Sequence, residues 1–301
     1  MSALSDSQKI DEKGRTTRPF RFGVGILKPG SRSDFQSTAR RAEELGYDIL
    51  QMPDHLGMPA PFPALVSAAE VTSIRLGTFV LNTSFYRPAL LARDIADTDQ
   101  LTDGRLELGL GTGYQQAEFD AAEMPFPSGR KRIDHLEHTI RELRRLFASA
   151  DHVPAVRQKP IPPLLIAANG DRMLRLAARE ADIVGFPLTA GIKPGTEPEK
   201  ALAERVEFLR DAAGERADDL ELNLFIATVT VAPDKPDLSL LQKVLPSFSD
   251  EQILQLPSVL VGSEQQIAEK LQHYRETYGI SYFATVDDSM EAFAKVIPHV
   301  R

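Results

Sequence analysis

Eight short apolar runs alternate with helical patterns along this chain, and that alternation limits the possible folds more than any other feature. The runs lie at 20–27, 47–52, 75–81, 106–111, 163–168, 182–187, 221–232 and 281–286. Helical spacing occurs at 34–45, 62–73, 88–101, 130–147, 171–179, 199–212, 238–256, 264–278 and 290–297. Strand–helix–strand units form right-handed parallel crossovers. Eight of them in 301 residues predict an α/β protein, a (β/α)8 TIM barrel rather than a doubly wound sheet.

The chain shows no linker, no repeat of fixed period and no low-complexity tract, which predicts one domain. Residues 1–18 are polar and are expected to form a flexible N-terminal tail, so the predicted barrel domain is 19–301. The pattern is weakest at 234–257, where we expect an irregular helical insertion before the eighth strand.

Composition narrows the function classes. The formal net charge of −8 argues against broad binding to nucleic acid or anionic membranes. The absence of cysteine excludes disulfides, zinc–thiolate sites and thiol nucleophiles, and the six scattered histidines predict no metal site. No apolar run is long enough to span a bilayer and no signal-peptide core is present, so we expect a cytoplasmic protein without a membrane partner.

The polar residues that could carry chemistry follow the predicted strands. A β/α barrel places its active site at the carboxyl ends of its strands. Those ends carry Asp54-His55, Asn82, the run Gly111-Thr112-Gly113-Tyr114, and Ala168-Asn169-Gly170. Neither the paired acids of a glycosidase nor a Gly-x-Ser-x-Gly elbow stands out. Small residues at several strand ends favour a flat ligand lying across the barrel mouth.

Each of these features has a structural alternative. The Gly-x-Gly-x-Gly run at 109–113 is either a ligand loop or a strand that enters a tight turn. The helix after Gly170 either binds a phosphate, with Arg172 as a cation nearby, or is simply capped by Asp171. His55 is either an acid/base group or a structural loop histidine.

Taken together, five motifs resemble the luciferase-like flavin and deazaflavin oxidoreductases, over nearly the whole chain from Phe20 onward. They are Ala42-Glu43-Glu44-Leu45-Gly46-Tyr47-Asp48, Pro53-Asp54-His55, Leu76-Gly77-Thr78 through Arg87-Pro88-Ala89, Asp103-Gly104-Arg105 through Gly113-Tyr114, and Ala178-Arg179-Glu180-Ala181-Asp182. The ending Gly279-Ile280-Ser281-Tyr282-Phe283 looks most like an actinobacterial-type subgroup that uses coenzyme F420.

The resemblance implies roles for individual residues. A non-proline cis peptide backs the deazaflavin ring in F420-using relatives, and Phe79-Val80 is the matching bond here. The resemblance implies further cofactor contacts at Asp54, Asn82, Gly111, Thr112, Gly113, Ala168, Asn169 and Gly170. The helix-start pattern adds Arg172 on the phosphate side. His55 or Tyr114 is expected to exchange the proton that accompanies the hydride.

Two departures from the sugar-phosphate dehydrogenases of this family bear on the substrate. Those enzymes carry a glutamate where Tyr114 stands, and an aromatic residue after the histidine where this chain has Leu56. Apolar and aromatic residues suggest a less polar pocket: Met58, Phe62, Phe85, Tyr86 and Phe186. The leading hypothesis is therefore an F420-dependent enzyme that reduces a C=C or C=N bond of a small-molecule or peptide-derived substrate, as a homodimer. The alternatives are an FMN-dependent monooxygenase and a non-catalytic barrel that binds cofactor.

Overall fold

The structure is a computed structural model, and it describes residues 18–28 and 30–301. The expected N-terminal tail therefore lies outside the described residues, except for Arg18. Its guanidinium donates hydrogen bonds to the carbonyl oxygens of Asp218 and Asp219, at 3.2 and 2.7 Å. Arg18 thus contacts the short 3-10 helix Gly214–Asp218.

Nine parallel strands form one closed sheet in the part of the chain that the structure describes. They are β1 (Arg21–Gly25), β2 (Ile49–Met52), β3 (Arg75–Thr78), β4 (Leu81–Asn82), β5 (Leu106–Gly111), β6 (Leu164–Ala167), β7 (Ile183–Phe186), β8 (Glu221–Phe225) and, after two further strands, β11 (Ile280–Val286). The order is β3-β2-β1-β11-β8-β7-β6-β5-β4, and β3 also pairs with β5. Strands β3 and β4 both pair with β5, so together they occupy one strand position of the barrel. The sheet therefore closes as an eight-stranded barrel, which confirms the predicted (β/α)8 fold.

Eleven α-helices lie among the described residues. They are α1 (Arg32–Glu44), α2 (Pro61–Ala69), α3 (Pro88–Leu101), α4 (Gln116–Ala121), α5 (Gly129–Ala148), α6 (Asp171–Glu180), α7 (Pro198–Ala213), α8 (Ser239–Val244), α9 (Asp250–Leu254), α10 (Glu264–Tyr278) and α11 (Met290–Ala294). Capping boxes begin α1 and α10, where Ser31 and Ser263 accept hydrogen bonds from the backbone of the third helical residue. Among the described residues, no helix is both long and apolar enough to cross a membrane.

The predicted seventh strand, 221–232, is wrong in one respect: it is two strands. After β8 the backbone changes partner, because Ile226 N–H donates to Ala284 O whereas Ala227 N–H donates to Ser258 O. The next residues form β9 (Thr228–Val231), which pairs in parallel with β10 (Val259–Gly262) outside the barrel. A continuous strand-like pattern does not show where a strand leaves one sheet for another.

The predicted helix 238–256 is also two elements, α8 and α9. Pro246 lies between them, where its missing N–H and its ring prevent one continuous helix. Ser249 and Gln252 then form a capping box that begins α9. With β9 and β10, these short helices make up the insertion before the eighth barrel strand, which confirms its expected place and irregularity.

Charged residues fill the amino-terminal end of the barrel interior. Arg21 forms ion pairs with Glu107 and Glu221, each at 2.5 Å, and Arg75 reaches Glu107 at 2.6 Å. The pKa of the Arg21 guanidinium is raised by these two carboxylates, which outweigh the opposing effect of its burial. Arg21 also lies over the ring of the fully buried Tyr282, 4.6 Å from its centroid. We call these five residues the interior ion cluster.

Candidate active site

The glycines of β5 lie against the end of β3 and the start of β4. A Cβ atom on Gly109 would lie 2.0 Å from the Thr78 carbonyl oxygen, and one on Gly111 would lie 2.6 Å from a methyl carbon of Val80. Both positions face the barrel interior with Glu107, since alternate strand residues share a face. The interior is therefore too close-packed there for any side chain, and this packing accounts for the two glycines.

The strand on the other side of this contact is interrupted between β3 and β4. The Phe79-Val80 peptide bond is cis, which confirms the expectation that the resemblance raised for it. The run predicted as one strand, 75–81, is consequently two, β3 and β4. Phe79 and Val80 are half-buried and contact the small apolar cluster inside the barrel. They thus lie at the inner edge of the barrel mouth.

Asp54, which follows β2, is hydrogen-bonded to β4. Its Oδ2 accepts a hydrogen bond from the backbone N–H of Asn82 at 3.0 Å. The Tyr86 hydroxyl also bonds the same carboxylate. Burial raises the pKa of Asp54, and these hydrogen bonds oppose that rise only in part. The geometry therefore gives Asp54 a positioning contact with the strand end that carries Asn82.

Asn82 has an unsatisfied hydrogen-bond donor. Its Oδ1 accepts from Ser84 N–H at 3.2 Å, and its side chain presses on Gly113, where a Cβ would lie 2.3 Å from Oδ1. Its buried Nδ2 has no hydrogen-bond partner among the described residues. Buried amide donors are nearly always paired, so an unpaired one at a strand end indicates a place for a ligand or water.

His55 forms the strongest polar contact of the site with a residue that the sequence did not single out. Its Nδ1 lies 2.7 Å from Oε1 of Glu118, which is on the short helix α4. The side chain of Glu118 is only 11% exposed and that of His55 is 25% exposed. The sequence predicted a looser stretch at 114–128, because a six-residue helix ahead of Pro125 shows no clear period. An acid five residues after a glycine such as Gly113 is too common a pattern to have identified Glu118.

Tyr114 stands beside this pair at the rim. Its ring is 71% exposed and meets the His55 ring edge-on, with 5.8 Å between centroids. Gln115 Nε2 donates to the Tyr114 hydroxyl and approaches His55 Nδ1, each at 3.3 Å. The carbonyl of Gly113 accepts from Arg132 Nε at 3.1 Å, a contact from α5 that sequence reasoning also missed. Arg132 thereby fixes the turn that carries Tyr114.

The predicted phosphate region forms a second group, at the end of β6. Ala168 is buried in the core between barrel and helices, whereas Asn169 and Gly170 are exposed. Gly170 is the N-cap of α6 and supplies no side-chain cap, and a Cβ there would meet nothing within 4 Å. The interpretation that Asp171 caps α6 is therefore wrong, since its carboxylate bonds Arg205 at 2.6 Å instead.

Arg172 is already engaged by the neighbouring helix. Its guanidinium pairs with Asp134 and donates to the carbonyl oxygen of Arg130 at 3.0 Å, both on α5. Its position in the first turn of α6 therefore does not by itself require a bound anion. Phe186, expected near the substrate, lies instead in the core with its side chain turned outward from β7.

The remaining aromatic side chains of the expected pocket pack on each other. Phe62 meets Tyr86 edge-on at 6.4 Å, and Phe85 lies 5.3 Å from Phe119. The structure thus brings Asp54, His55, Asn82, Gly113 and Tyr114 together at the ends of β2, β4 and β5, and keeps 168–172 as a separate group at the end of β6.

Comparison with known proteins agrees with this architecture. Residues 16–256 match the family profile described as luciferase-like monooxygenase. The F420-dependent glucose-6-phosphate dehydrogenase of Intrasporangium calvum is 31% identical over 175 residues, 50% of this chain and 52% of that protein. The protein of the same name from Microbacterium testaceum is 30% identical over 244 residues, 72% of this chain and 70% of that one. The chain spans about half the length of the first curated relatives it matches.

Solved structures share the fold at lower identity. The coenzyme F420 dependent tetrahydromethanopterin reductase from Methanopyrus kandleri superposes with a TM-score of 0.74 at 18% identity, covering 94% of this chain and 100% of that one. An F420-dependent secondary alcohol dehydrogenase gives a TM-score of 0.72 at 18% identity, with the same coverage. At these identities the likeness concerns the fold alone, whereas the profile match covers most of the sequence. The chain belongs to the luciferase-like monooxygenase family.

Proposed function

We propose that this chain is an F420-dependent oxidoreductase that transfers a hydride between the deazaflavin and a small organic substrate. The observation that carries the proposal is the convergence of a paired imidazole, His55, and an unpartnered buried amide, Asn82 Nδ2, at one barrel mouth. Curated relatives named as F420-dependent dehydrogenases, at about 30% identity, support the choice of cofactor.

The residues present fit such a cofactor. A heteroaromatic ring with carbonyl groups at one edge offers acceptors for the free Nδ2–H of Asn82. The N-terminus of α6 has no side-chain cap and open space at Gly170, so its N–H groups suit a phosphate. Asp54 holds the Asn82 backbone, and Arg132 holds the Gly113 carbonyl. In this proposal Phe79, Val80 and 111–113 line the ring side of the site, and Ala168, Asn169, Gly170 and Arg172 the phosphate side.

The chain's own residues would manage the proton. When bound, the deazaflavin supplies or accepts a hydride at C5. His55 would deliver a proton to the substrate atom next to the carbon that gains hydride, or remove one in the reverse direction. Tyr114 is mostly exposed, and its hydroxyl accepts from Gln115. We therefore assign His55 the acid/base role and Tyr114 a place at the substrate's edge.

We propose reduction of a C=C or C=N bond rather than oxidation of a sugar phosphate. The rim beside His55 carries the exposed aromatic Tyr114 and the exposed aliphatic Leu56, at 71% and 53% exposure. Exposed apolar side chains at a site favour a substrate with an apolar body. Because curated relatives are named glucose-6-phosphate dehydrogenases, glucose 6-phosphate is the alternative substrate that the experiment must include.

The decisive experiment measures binding of F420, reduced F420 and FMN to the purified chain by fluorescence and calorimetry. We expect both deazaflavin forms to bind and FMN to bind more weakly. Glucose 6-phosphate is then offered with F420, and α,β-unsaturated carbonyl compounds and cyclic imines with reduced F420. If neither deazaflavin form binds, the proposal fails. FMN binding with oxygen consumption would support a monooxygenase instead.

The expected domain organisation, location and assembly also remain proposals. We propose a single barrel domain over 19–301, placed in the cytoplasm and assembled as a homodimer. Light scattering coupled to size-exclusion chromatography tests the assembly, and limited proteolysis tests the domain. A stable fragment well inside 19–301 would contradict a single domain.

A further inference from the structure

We propose that Glu118 is the positioning residue of His55: its carboxylate holds the imidazole in the Nδ1–H form and leaves Nε2 as the only nitrogen free for proton exchange. The tautomer of His55 is a property of the protein alone. Its effect on turnover rests on the proposed function, because that effect needs a reaction in which His55 moves a proton.

The hydrogen bond itself is short and protected. Glu118 Oε1 lies 2.7 Å from His55 Nδ1, within the range of charge-assisted hydrogen bonds. The carboxylate is 11% exposed, so water screens it weakly. Helix α4 is anchored by Phe119, which is fully buried and packs on Phe85 and Phe126 at 5.3 and 5.0 Å. Phe119 therefore holds the adjacent Glu118 in place.

The hydrogen-bond partners of Nδ1 assign the tautomer of His55. A carboxylate only accepts hydrogen bonds, so Nδ1 must carry the hydrogen at this contact. Gln115 Nε2 approaches the same Nδ1 at 3.3 Å, but a nitrogen that donates to Glu118 cannot also accept from an amide. The Gln115 amide instead donates to the Tyr114 hydroxyl. The Nε2 atom of His55 has no hydrogen bond to any residue that the structure describes.

Two histidine–glutamate pairs at the surface differ from the His55–Glu118 pair in burial and in the ring nitrogen used. His273 and His299 also meet glutamates, Glu199 at 2.5 Å and Glu264 at 3.0 Å. Both pair through Nε2, and all four side chains are about 40–50% exposed. Among the described residues, only the His55 pair combines Nδ1 with a buried carboxylate. Its arrangement is that of a carboxylate that orients a histidine for proton exchange at the far nitrogen.

Among the described residues, no hydrogen bond or ion pair joins His55 to a cationic side chain. The groups facing it are Asp54 and Glu118, both acidic, and the uncharged Tyr114 and Gln115. When Nε2 gains a proton, the adjacent Glu118 carboxylate balances the new positive charge. When Nε2 gives that proton to the substrate, the N–H bond at Nε2 breaks while Nδ1–H stays intact. Solvent then restores the proton.

The test begins with the cofactor-free protein. Nitrogen-15 NMR of the histidine rings, at about pH 8.5 where an ordinary histidine is neutral, reports which nitrogen carries the hydrogen. The His55→Ala variant assigns the His55 signals. We expect the Nδ1–H pattern in the native chain and its loss in Glu118→Ala. If Glu118→Ala fails to fold, Glu118→Leu, which fills the space, replaces it. A His55 pattern that is unchanged without the carboxylate would overturn the proposal.

The kinetic arm uses the F420-loaded enzyme with whichever of the proposed substrates it turns over. Removing the carboxylate should lower kcat about tenfold or more, with a smaller change in KM and unchanged F420 affinity. The matched control is Glu264→Ala, which removes the partner of His299 and should leave kcat unchanged. Equal kcat in Glu118→Ala and Glu264→Ala would overturn the positioning role. Failure of the native chain to bind F420 would refute the proposed function alone, since the NMR result is obtained without cofactor.

Discussion

The carboxylate of Asp54 holds the backbone N–H of Asn82 at 3.0 Å, so the end of β2 fixes the strand end that carries the unpartnered amide. Asp54 therefore positions the strand end that carries Asn82. Because it is buried, it also couples the site to the stability of the fold.

Replacing Asp54 with asparagine should change how stability depends on pH. The pKa of Asp54 is raised in the folded chain, so the folded state binds its proton more tightly than the unfolded state. Its contribution is fully present below the ordinary pKa of about 3.9 and is lost as pH rises through the raised value. Urea unfolding from pH 4 to pH 7 should show native stability falling relative to Asp54→Asn. Parallel curves would contradict this.

Glycine packing predicts very different costs for two similar substitutions. Gly109→Ala places a methyl group 2.0 Å from the Thr78 carbonyl oxygen, which overpacking should penalise by about 3 kcal/mol or more. Gly25→Ala, also in a barrel strand, meets its nearest atoms at ordinary distances of 3.6 and 3.8 Å. Thermal unfolding should therefore separate the two variants clearly. Similar melting temperatures would show that strand contact does not require Gly109.

The interior ion cluster should be sensitive to loss of its central cation. Arg21→Met leaves the buried Glu221 without its ion pair and Glu107 with Arg75 alone, and should cost about 3–5 kcal/mol. The control is Arg41→Met, which removes an exposed pair with Glu291 and should leave the melting temperature nearly unchanged. Calorimetric melting of both variants is the measurement. An equally small effect of Arg21→Met would mean that Arg75 alone can balance the carboxylates.

The start of α6 permits a substitution with opposite effects on stability and binding. Gly170→Asp adds an N-cap carboxylate in open space, which should raise the melting temperature. The same carboxylate should repel a phosphate at the helix N-terminus, so F420 affinity should fall. Gly170→Ser caps the helix without charge and should bind F420 more tightly than Gly170→Asp. Equal affinities would place the phosphate elsewhere.

His55 itself gives the most direct kinetic prediction. His55→Gln should lower turnover by about 10²–10⁴-fold, the usual contribution of an acid/base group, while F420 affinity changes little. His299→Gln, at a surface pair, serves as the control. Steady-state kinetics and fluorescence titration measure the two quantities. Undiminished turnover would remove His55 from the mechanism and favour a non-catalytic, cofactor-binding barrel.

The sequence predicted the barrel because parallel strands covered on both faces are short apolar runs separated by amphipathic helices. It did not predict the change of partner at Ala227, since the strand-like pattern continues through 221–232 while the hydrogen-bond acceptor changes from Ala284 to Ser258. It missed Glu118 for a related reason. The pairing with His55 joins residues 63 positions apart, and nothing in the local pattern at 114–128 reports that distance.

The glycines at 109 and 111 have a packing explanation that their spacing in the sequence could not supply. Their spacing was compatible with either a ligand loop or a strand, and the approach of Thr78 and Val80 shows that the strand packing requires them. Gly113 lies under the Asn82 side chain, and so it joins the packing contact to the candidate ligand site.

The interior ion cluster bears on the order in which ligands bind and leave. The amino-terminal end of the interior is occupied by Arg21, Glu107, Glu221, Arg75 and Tyr282, so we expect a ligand to enter from the opposite end, where Asp54 and His55 lie. Under the proposed function, a flat cofactor bound first would lie beneath the second reactant. We would then expect an ordered mechanism, in which the cofactor binds first and is released last.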